Sequence, residues 1–167
     1  MEQLLNVKDL RVNFHTYAGV VKAVRGVSFS LAKGEVLAIV GESGCGKTVT
    51  AKAIMRLLGR TSGKIQPGSV VEMEGRNLAD LSLRELNRMR GKEISMIFQD
   101  SMTSLNPTMT VGKQIMENIL THEKMTKSQA RQRAKELLEL VEIPDPEGRL
   151  DNYPHQMSGG MRQRAMI

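Results

Sequence analysis

The chain has 167 residues, of which 40% are hydrophobic and 25% charged, and its formal net charge is +6. These proportions are those of a folded globular domain, and the single cysteine excludes an internal disulfide. The longest clean apolar run, Val36–Val40, is far too short to span a membrane, and the polar N-terminus is unlike a signal peptide. The positive charge fits either an anionic partner or the solvated faces of basic helices.

The N-terminal region is predicted to form strands around one helix. Alternating apolar and polar residues predict half-buried strands over Leu4–Phe14 and Val20–Leu31. The continuous apolar runs Val36–Val40 and Ile94–Phe98 predict two fully buried strands at the centre of a sheet. Between these two runs, apolar residues at helical spacing predict a helix from Lys47 to Leu58, which Gly59 ends.

Helical patterns dominate the second half of the chain. Ser82 and Glu85 have the spacing of a capping box and predict a helix start. Amphipathic patterns then predict helices over Lys113–Glu123 and Ser128–Ile143. A last helical pattern opens at Ser158 and runs to the end of the sequence.

The sequence "GESGCGKT" follows the apolar run Val36–Val40 directly and matches the phosphate-loop pattern G-x-x-x-x-G-K-[ST]. Glycines let successive backbone N–H groups converge on phosphate oxygens, and the helix that follows adds its positive end. Lys47 is suited to bind the β and γ phosphates, and the Thr48 hydroxyl is suited to bind Mg²⁺. The predicted nucleotide-binding residues are Gly41, Glu42, Ser43, Gly44, Cys45, Gly46, Lys47 and Thr48.

Cys45 lies inside this loop and has two interpretations. It is either a small filler at a variable position, or a reactive thiol whose pKa is lowered by the helix start and by Lys47. A reactive thiol would be protected from alkylation by bound ATP.

Two further features lie downstream of the loop. Gln99 follows the apolar run Ile94–Phe98, and "MSGGMRQR" occupies Met157–Arg164. Ser158 followed by Gly159 and Gly160 is typical of a capped helix start with exposed N–H groups, which suits a phosphate. Taken alone "SGG" indicates only a helix cap, but together with the phosphate loop it is far more specific.

With these motifs the whole chain resembles the nucleotide-binding domain of ABC transporters. "GESGCGKT" is similar to the Walker A loop, "IFQD" to the Q-loop and "MSGGM" to the signature, which is usually LSGGQ. "FQDSMTSLNP", "PDPEGRLDNYPHQ" and "SGGMRQRAMI" resemble the dipeptide/oligopeptide importer subfamily. Ser101 replaces a proline that is usual in the subfamily, and Met157 stands where leucine or phenylalanine is common.

The resemblance implies an α/β fold: a P-loop NTPase core with an N-terminal antiparallel β subdomain and a helical subdomain. The ATP-binding core would cover residues 1–99, and the Q-loop and helical subdomain 100–157. Residues 158–167 would begin the signature helix. The fold is expected to be incomplete at the C-terminus.

The resemblance also implies roles for single residues. Gln99 would contact Mg²⁺ and the attacking water, and Thr48 would be the second metal ligand. Ser158, Gly159 and Gly160 would contact ATP held by a second nucleotide-binding subunit, identical or different. An aromatic residue would stack on adenine: Phe14 aligns best, with Tyr17 as the reserve, although Phe14 is equally explained as a core residue.

After such a signature the family continues into the Walker B strand, with an aspartate for Mg²⁺, a catalytic glutamate and a later switch histidine. The sequence ends at Ile167 before any of them, and His15, His122 and His155 all precede the signature. The 167-residue chain is therefore expected to lack meaningful ATPase activity and to expose apolar sheet edge.

The expected function is the ATP-binding subunit of a peptide importer, with ATP and Mg²⁺ as cofactors, peripheral on the cytoplasmic face of the cell membrane. Its partners would be transmembrane permease subunits and, indirectly, a periplasmic or extracellular peptide-binding protein, with no nucleic acid. Two alternatives remain: a non-catalytic remnant of such a subunit, or a DNA-repair or chromosome ATPase. The second is disfavoured because no sustained heptads separate Gln99 from Ser158.

Overall fold

A computed structural model of the chain describes residues 2–59, 63–98 and 104–167. The chain divides into two compact units, Met1–Asn87 and Arg88–Ile167. The subdomain limits after residues 99 and 157 stay a prediction. Gln99 lies outside the described residues.

The first unit is built on an antiparallel sheet. Two long strands, β1 and β2, form a hairpin, and three short strands add to β1. The sheet order is β2-β1-β4-β5, with β3 also paired to β1. The alternating patterns therefore predicted both long strands correctly. The strands are β1 Gln3–Thr16, β2 Gly19–Ala32, β3 Gly63–Ile65, β4 Val70–Met73 and β5 Arg76–Asn77.

Strand β1 has one buried and one exposed face. Leu10 and Val12 are fully buried, whereas Arg11 between them is exposed, as the two-residue period of a strand requires. The ladder between β1 and β2 contains several register shifts, and one of them leaves Ala23 of β2 unpaired between Val24 and Lys22. Such a β-bulge bends its strand locally.

Helix α1, Lys47–Ile54, packs against β1 and β2. It is shorter than predicted, because the backbone of Arg56 adopts a φ of 50° and breaks the helix before Leu58. The Arg56 guanidinium then donates hydrogen bonds to the carbonyl oxygens of Leu78 at 3.0 Å and Leu81 at 2.7 Å. These bonds tie the end of α1 to the segment that follows β5.

The prediction of two buried central strands is wrong for this structure. Val36–Val40 forms no strand, and the side chains of Val36 and Val40 are 93% and 87% exposed. In Ile94–Phe98 only Ile94 makes an isolated bridge, to Arg90, and Ile97 is exposed. A central strand is buried by neighbours on both edges and layers on both faces, and no described strand pairs with either run.

The remaining elements are helices. The predicted capping box is confirmed, because Ser82 and Glu85 exchange hydrogen bonds at the start of α2. A second capping box joins Thr126 and Gln129 at the start of α4. The helices are α2 Leu83–Met89, α3 Val111–His122, α4 Lys127–Leu140, α5 Pro146–Leu150 and α6 Gly159–Ala165, with a 3-10 turn at Pro154–Gln156.

The second unit has its own apolar core. Helix α4 contributes Ala130, Ala134 and Leu138, which recur every four residues and so share one face. Apolar residues of α3, of α5 and of the connecting loops complete the cluster: Val111, Ile119, Ile143, Leu150 and Met157. This core supports the turn that carries Ser158.

Candidate functional site

The phosphate loop encloses the ammonium group of Lys47. Its Nζ donates to the carbonyl oxygens of Gly41 at 2.6 Å and Glu42 at 2.7 Å. The Cys45 N–H donates to the Glu42 oxygen at 3.3 Å and closes a turn around the same point. The lysine therefore points into the loop and not away from it.

Two glycines of the loop have conformations that other residues rarely adopt. Gly44 has φ 82° and Gly46 φ 99°. A Cβ on Gly46 would also lie 2.6 Å from the carbonyl oxygen of Ala23, so glycine is required there for two reasons. Gly46 thus lets the loop lie directly against the β-bulge of β2.

The start of α1 keeps its N–H groups unoccupied by a capping side chain. Its N-cap is Gly46, no side chain accepts from the first turn, and the first turn carries no acidic residue. The positive end of a helix dipole and a nearby ammonium group are both suited to an anion. The residues present therefore fit a polyphosphate.

Only one of the two predicted Mg²⁺ ligands lies within the described residues. Thr48 is exposed in the first turn of α1, whereas Gln99 lies outside the described residues. Within residues 2–59, 63–98 and 104–167, no group of three or more His, Cys, Asp or Glu side chains could hold a metal ion. Binding of Mg²⁺ at Thr48 and Gln99 stays a prediction.

Phe14 and Tyr17, the two candidates for an adenine platform, differ in their surroundings. Phe14 of β1 is partly buried and pairs with Val21 and Gly63. Its ring lies so close to Gly63 that a Cβ there would be 3.0 Å from Cε1. Tyr17 is fully exposed in the hairpin turn. Both interpretations of Phe14 remain, since the edge of its ring lies against Gly63 and the residue is only partly buried.

The signature turn is exposed in the second unit. Ser158 is the N-cap of α6, and its hydroxyl accepts from the Met161 N–H at 3.3 Å. Ser158, Gly159 and Gly160 are all exposed, and a Cβ on Gly160 would meet nothing within 4 Å. The turn is therefore open to a partner.

Two features that hold the site in place escaped the sequence analysis. The Arg162 guanidinium donates to the carbonyl oxygens of Pro154 at 3.2 Å and Met157 at 2.8 Å, which braces the turn before Ser158. Its position four residues after Ser158 was an available signal. The bulge at Ala23 gave no signal, because a β-bulge depends on the register of two paired strands and not on one residue type.

Cys45 is exposed, and its Sγ lies 3.7 Å from the Lys47 Nζ. A Cβ on Gly41 would lie 2.7 Å from this sulfur, so the thiol fills space beside the first loop glycine. The geometry agrees with a small filler residue, and the sulfur is also exposed beside a cation. Its reactivity stays a prediction.

The chain is similar in sequence to known ATP-binding proteins of ABC transporters. The family model described as ABC transporter matches residues 24–167. The chain is 58% identical over 165 residues to the oligopeptide transport ATP-binding protein OppD of Bacillus subtilis, covering 99% of this chain and 46% of the relative. It is 56% identical to the dipeptide transport ATP-binding protein DppD of the same organism, covering 100% and 50%. The chain spans about half the length of these curated relatives.

A solved structure supports the fold. The dimeric structure of MJ0796, a bacterial ABC transporter cassette, matches with a TM-score of 0.83 at 25% identity, covering 98% of this chain and 67% of that one. In the described part of this chain, no helix combines the length and apolar character needed to cross a bilayer. The phosphate loop, the signature turn, the family match and the cassette fold agree, and the chain belongs to the ABC transporter family.

Proposed function

We propose that the chain binds ATP at Gly41–Thr48 and is the ATP-binding part of a peptide importer. The observation that carries the proposal is the Lys47 ammonium, held inside a glycine loop at an uncapped helix start. Two relatives are an oligopeptide and a dipeptide transport ATP-binding protein, which supports the peptide substrate class.

Nucleotide binding would use groups that are already in place. The loop N–H groups and the N-terminus of α1 would donate to phosphate oxygens. Lys47 Nζ would exchange its two carbonyl partners, Gly41 and Glu42, for phosphate oxygens. A charge-assisted bond to phosphate is stronger than a bond to a neutral carbonyl, so this exchange favours the bound state.

Thr48 and Gln99 are the residues that would hold Mg²⁺. The ion would neutralise charge on the β and γ phosphates when bound. Gln99 would also orient the attacking water and link the site to a membrane partner. Phe14 would offer the exposed part of its ring to adenine, with Tyr17 as the alternative platform.

Ser158, Gly159 and Gly160 would face the nucleotide of a second ATP-binding subunit. Their exposure supports this role, because a turn buried within its own chain could not reach a partner. The dimeric state of the MJ0796 cassette supports pairing of two such chains. Whether the two subunits are identical or different is open in this proposal.

Membrane coupling completes the proposed role. The chain would act at the cytoplasmic face of the cell membrane on transmembrane permease subunits, which receive peptide from an external binding protein. A polypeptide of residues 1–167 alone would bind ATP without meaningful hydrolysis, because the glutamate that the family uses as the base is not among these residues. Its turnover should stay far below that of a complete transporter ATPase.

Titration of the chain with a fluorescent ATP analogue tests the proposal. Removing the Lys47 ammonium in Lys47→Ala should weaken binding roughly tenfold or more, because a charge-assisted bond contributes about 1.5–3 kcal/mol. Lys8→Ala is the matched control, since Lys8 is an exposed lysine of the same unit in strand β1. Equal affinities for Lys47→Ala and the wild type would show that the loop does not bind nucleotide.

A further inference from the structure

The outward face of the antiparallel sheet carries a cluster of cations. Asn13 of β1 pairs with Lys22 on one side and with Lys64 on the other. Arg11, two residues before Asn13, pairs with Arg25. Because residues directly opposite each other project to the same side of a sheet, these side chains share one face. We name Arg11, Lys22, Arg25 and Lys64 the cationic face.

Among the carboxylates on this side of the sheet, Asp9 pairs with Arg11, whereas Glu72 of β4 accepts from Asn6. The sequence has no Asp or Glu from residue 10 to residue 34. Arg11 is paired with Asp9 at 3.0 Å, but within the described residues no ion pair joins Lys22, Arg25 or Lys64 to a carboxylate. All four cations are exposed. Neighbouring strands are about 4.8 Å apart, so Lys22 and Lys64 are roughly 10 Å apart across the sheet.

The cationic face lies opposite the phosphate loop. Val24 projects to the buried side, where its methyl group would be 3.6 Å from a Cβ on Gly46. Arg25, the next residue in β2, projects to the other side. The cations therefore do not belong to the proposed nucleotide site.

Apolar residues are exposed at the end of the hairpin, beyond these cations. Tyr17 is fully exposed in the turn, and Val20 and Val21 are 53% and 54% exposed. Val20 pairs with His15, one step further along the outward face from Lys22 and Asn13. The hairpin thus ends in an aromatic and aliphatic tip next to the cationic face.

We propose that the cationic face and the hairpin tip bind the surface of an anionic lipid bilayer. Cations near such a surface are attracted to its headgroups over about a Debye length. Tyrosine and valine at the tip suit the layer just below the headgroups, where amphipathic aromatic rings are favoured. This contact goes beyond nucleotide binding, and it requires that Phe14, and not Tyr17, is the adenine platform.

The distribution of aromatic residues favours lipid over nucleic acid. Binding to single-stranded nucleic acid combines cations with aromatic rings on which bases stack. The described outward face between Arg11 and Lys64 contains no Phe, Tyr or Trp, and the exposed ring of Tyr17 lies at its end. An apolar tip beyond a cationic surface matches a layered partner with charge outside and hydrocarbon below.

Co-sedimentation with vesicles of phosphatidylcholine and phosphatidylglycerol tests the proposal. The triple variant Lys22→Gln, Arg25→Gln and Lys64→Gln should bind roughly a hundredfold more weakly than the wild type, because each cation near an anionic membrane contributes about 1 kcal/mol. Binding of the wild type should also fall in high salt and on vesicles of phosphatidylcholine alone.

A second triple variant is the matched control. Lys113→Gln, Lys124→Gln and Lys127→Gln remove the same charge from exposed lysines of the second unit and should bind like the wild type. The proposal would be overturned if both triple variants lost vesicle binding equally, or if the wild type bound no vesicles. It would also be overturned if the first triple variant lost only binding to single-stranded RNA. ATP titration of the same variants should match the wild type, which separates this result from a failure of the nucleotide site.

Discussion

Helix α4 buries a narrow apolar stripe, whereas the wholly apolar segment Val36–Val40 is exposed. Leu138 of α4 is 1% exposed, whereas Val36 and Val40 are 93% and 87% exposed. The helix satisfies its backbone hydrogen bonds within its own residues. It needs only a surface against which its apolar stripe can pack. Helices α3 and α5, which are near it in the chain, provide that surface.

A central strand depends on other segments in every respect. Its backbone groups pair only with neighbouring strands, and its two faces are covered only by further layers. Apolar character in Val36–Val40 therefore indicates that the segment can form a buried strand only where other strands pair with it. Burial of a helix is largely a local property, and burial of a strand is a property of the assembled sheet.

The largest expected effect comes from the core of α4. Leu138→Ala should lower the free energy of unfolding by about 2–5 kcal/mol, because it removes a buried side chain and leaves a cavity. Leu140→Ala in the same helix should change it by less than about 0.5 kcal/mol, since Leu140 is 78% exposed. Urea denaturation followed by circular dichroism measures both.

Val40→Ala extends this comparison to the other segment. Because Val40 is exposed, its loss should leave the urea midpoint close to that of the wild type. A cost for Val40→Ala as large as that for Leu138→Ala would show that Val36–Val40 is buried in solution. The contrast between the two segments would then be wrong.

The same contrast explains which elements could be predicted. The hairpin of β1 and β2 followed from alternation, because both partners are adjacent in the chain. The capping box at Ser82 followed from residues only three apart. The prediction of buried strands over Val36–Val40 and Ile94–Phe98 failed, because apolar character alone does not specify the neighbours that would bury a strand.

A smaller effect is expected where α3 meets α5. A Cβ on Gly112 would lie 2.6 Å from the backbone oxygen of Leu150 and 2.9 Å from its Cβ. Gly112→Ala should therefore destabilise the second unit by about 1–3 kcal/mol through overpacking. Gly160→Ala is the control, since nothing lies within 4 Å of its Cβ, and it should be neutral or slightly stabilising in α6. Equal urea midpoints for the two variants would contradict this close approach.

The candidate site divides in the same way. The loop Gly41–Thr48 could be predicted because its glycines, lysine and following helix are contiguous, and the structure places Lys47 inside it. The contact of the loop with Ala23 could not be predicted, because a β-bulge depends on the register of two strands. Arg162 lies near the signature, but its carbonyl partners became evident only from the fold of the turn.

The smallest expected effect is the pH dependence of the surface contact between α4 and α5. Arg131 of α4 donates to the Asp151 carboxylate at 2.8 and 3.0 Å and to Glu147 at 3.0 Å. The hydrogen bond from Arg131 lowers the pKa of Asp151 below its ordinary value. A lowered pKa in the folded state means that the carboxylate stabilises the fold above a pH of about 4, and that this contribution is lost as the pH falls further.

Asp151→Asn should therefore unfold at a slightly lower urea concentration than the wild type at neutral pH, and the two midpoints should converge at acidic pH. Asp80→Asn removes the same charge from an exposed carboxylate of the first unit and should follow the wild type throughout. The measurement is the urea midpoint at a series of pH values from neutral to acidic. If the midpoints of Asp151→Asn and the wild type stay equally far apart at every pH, the stabilisation does not come from the ionised carboxylate.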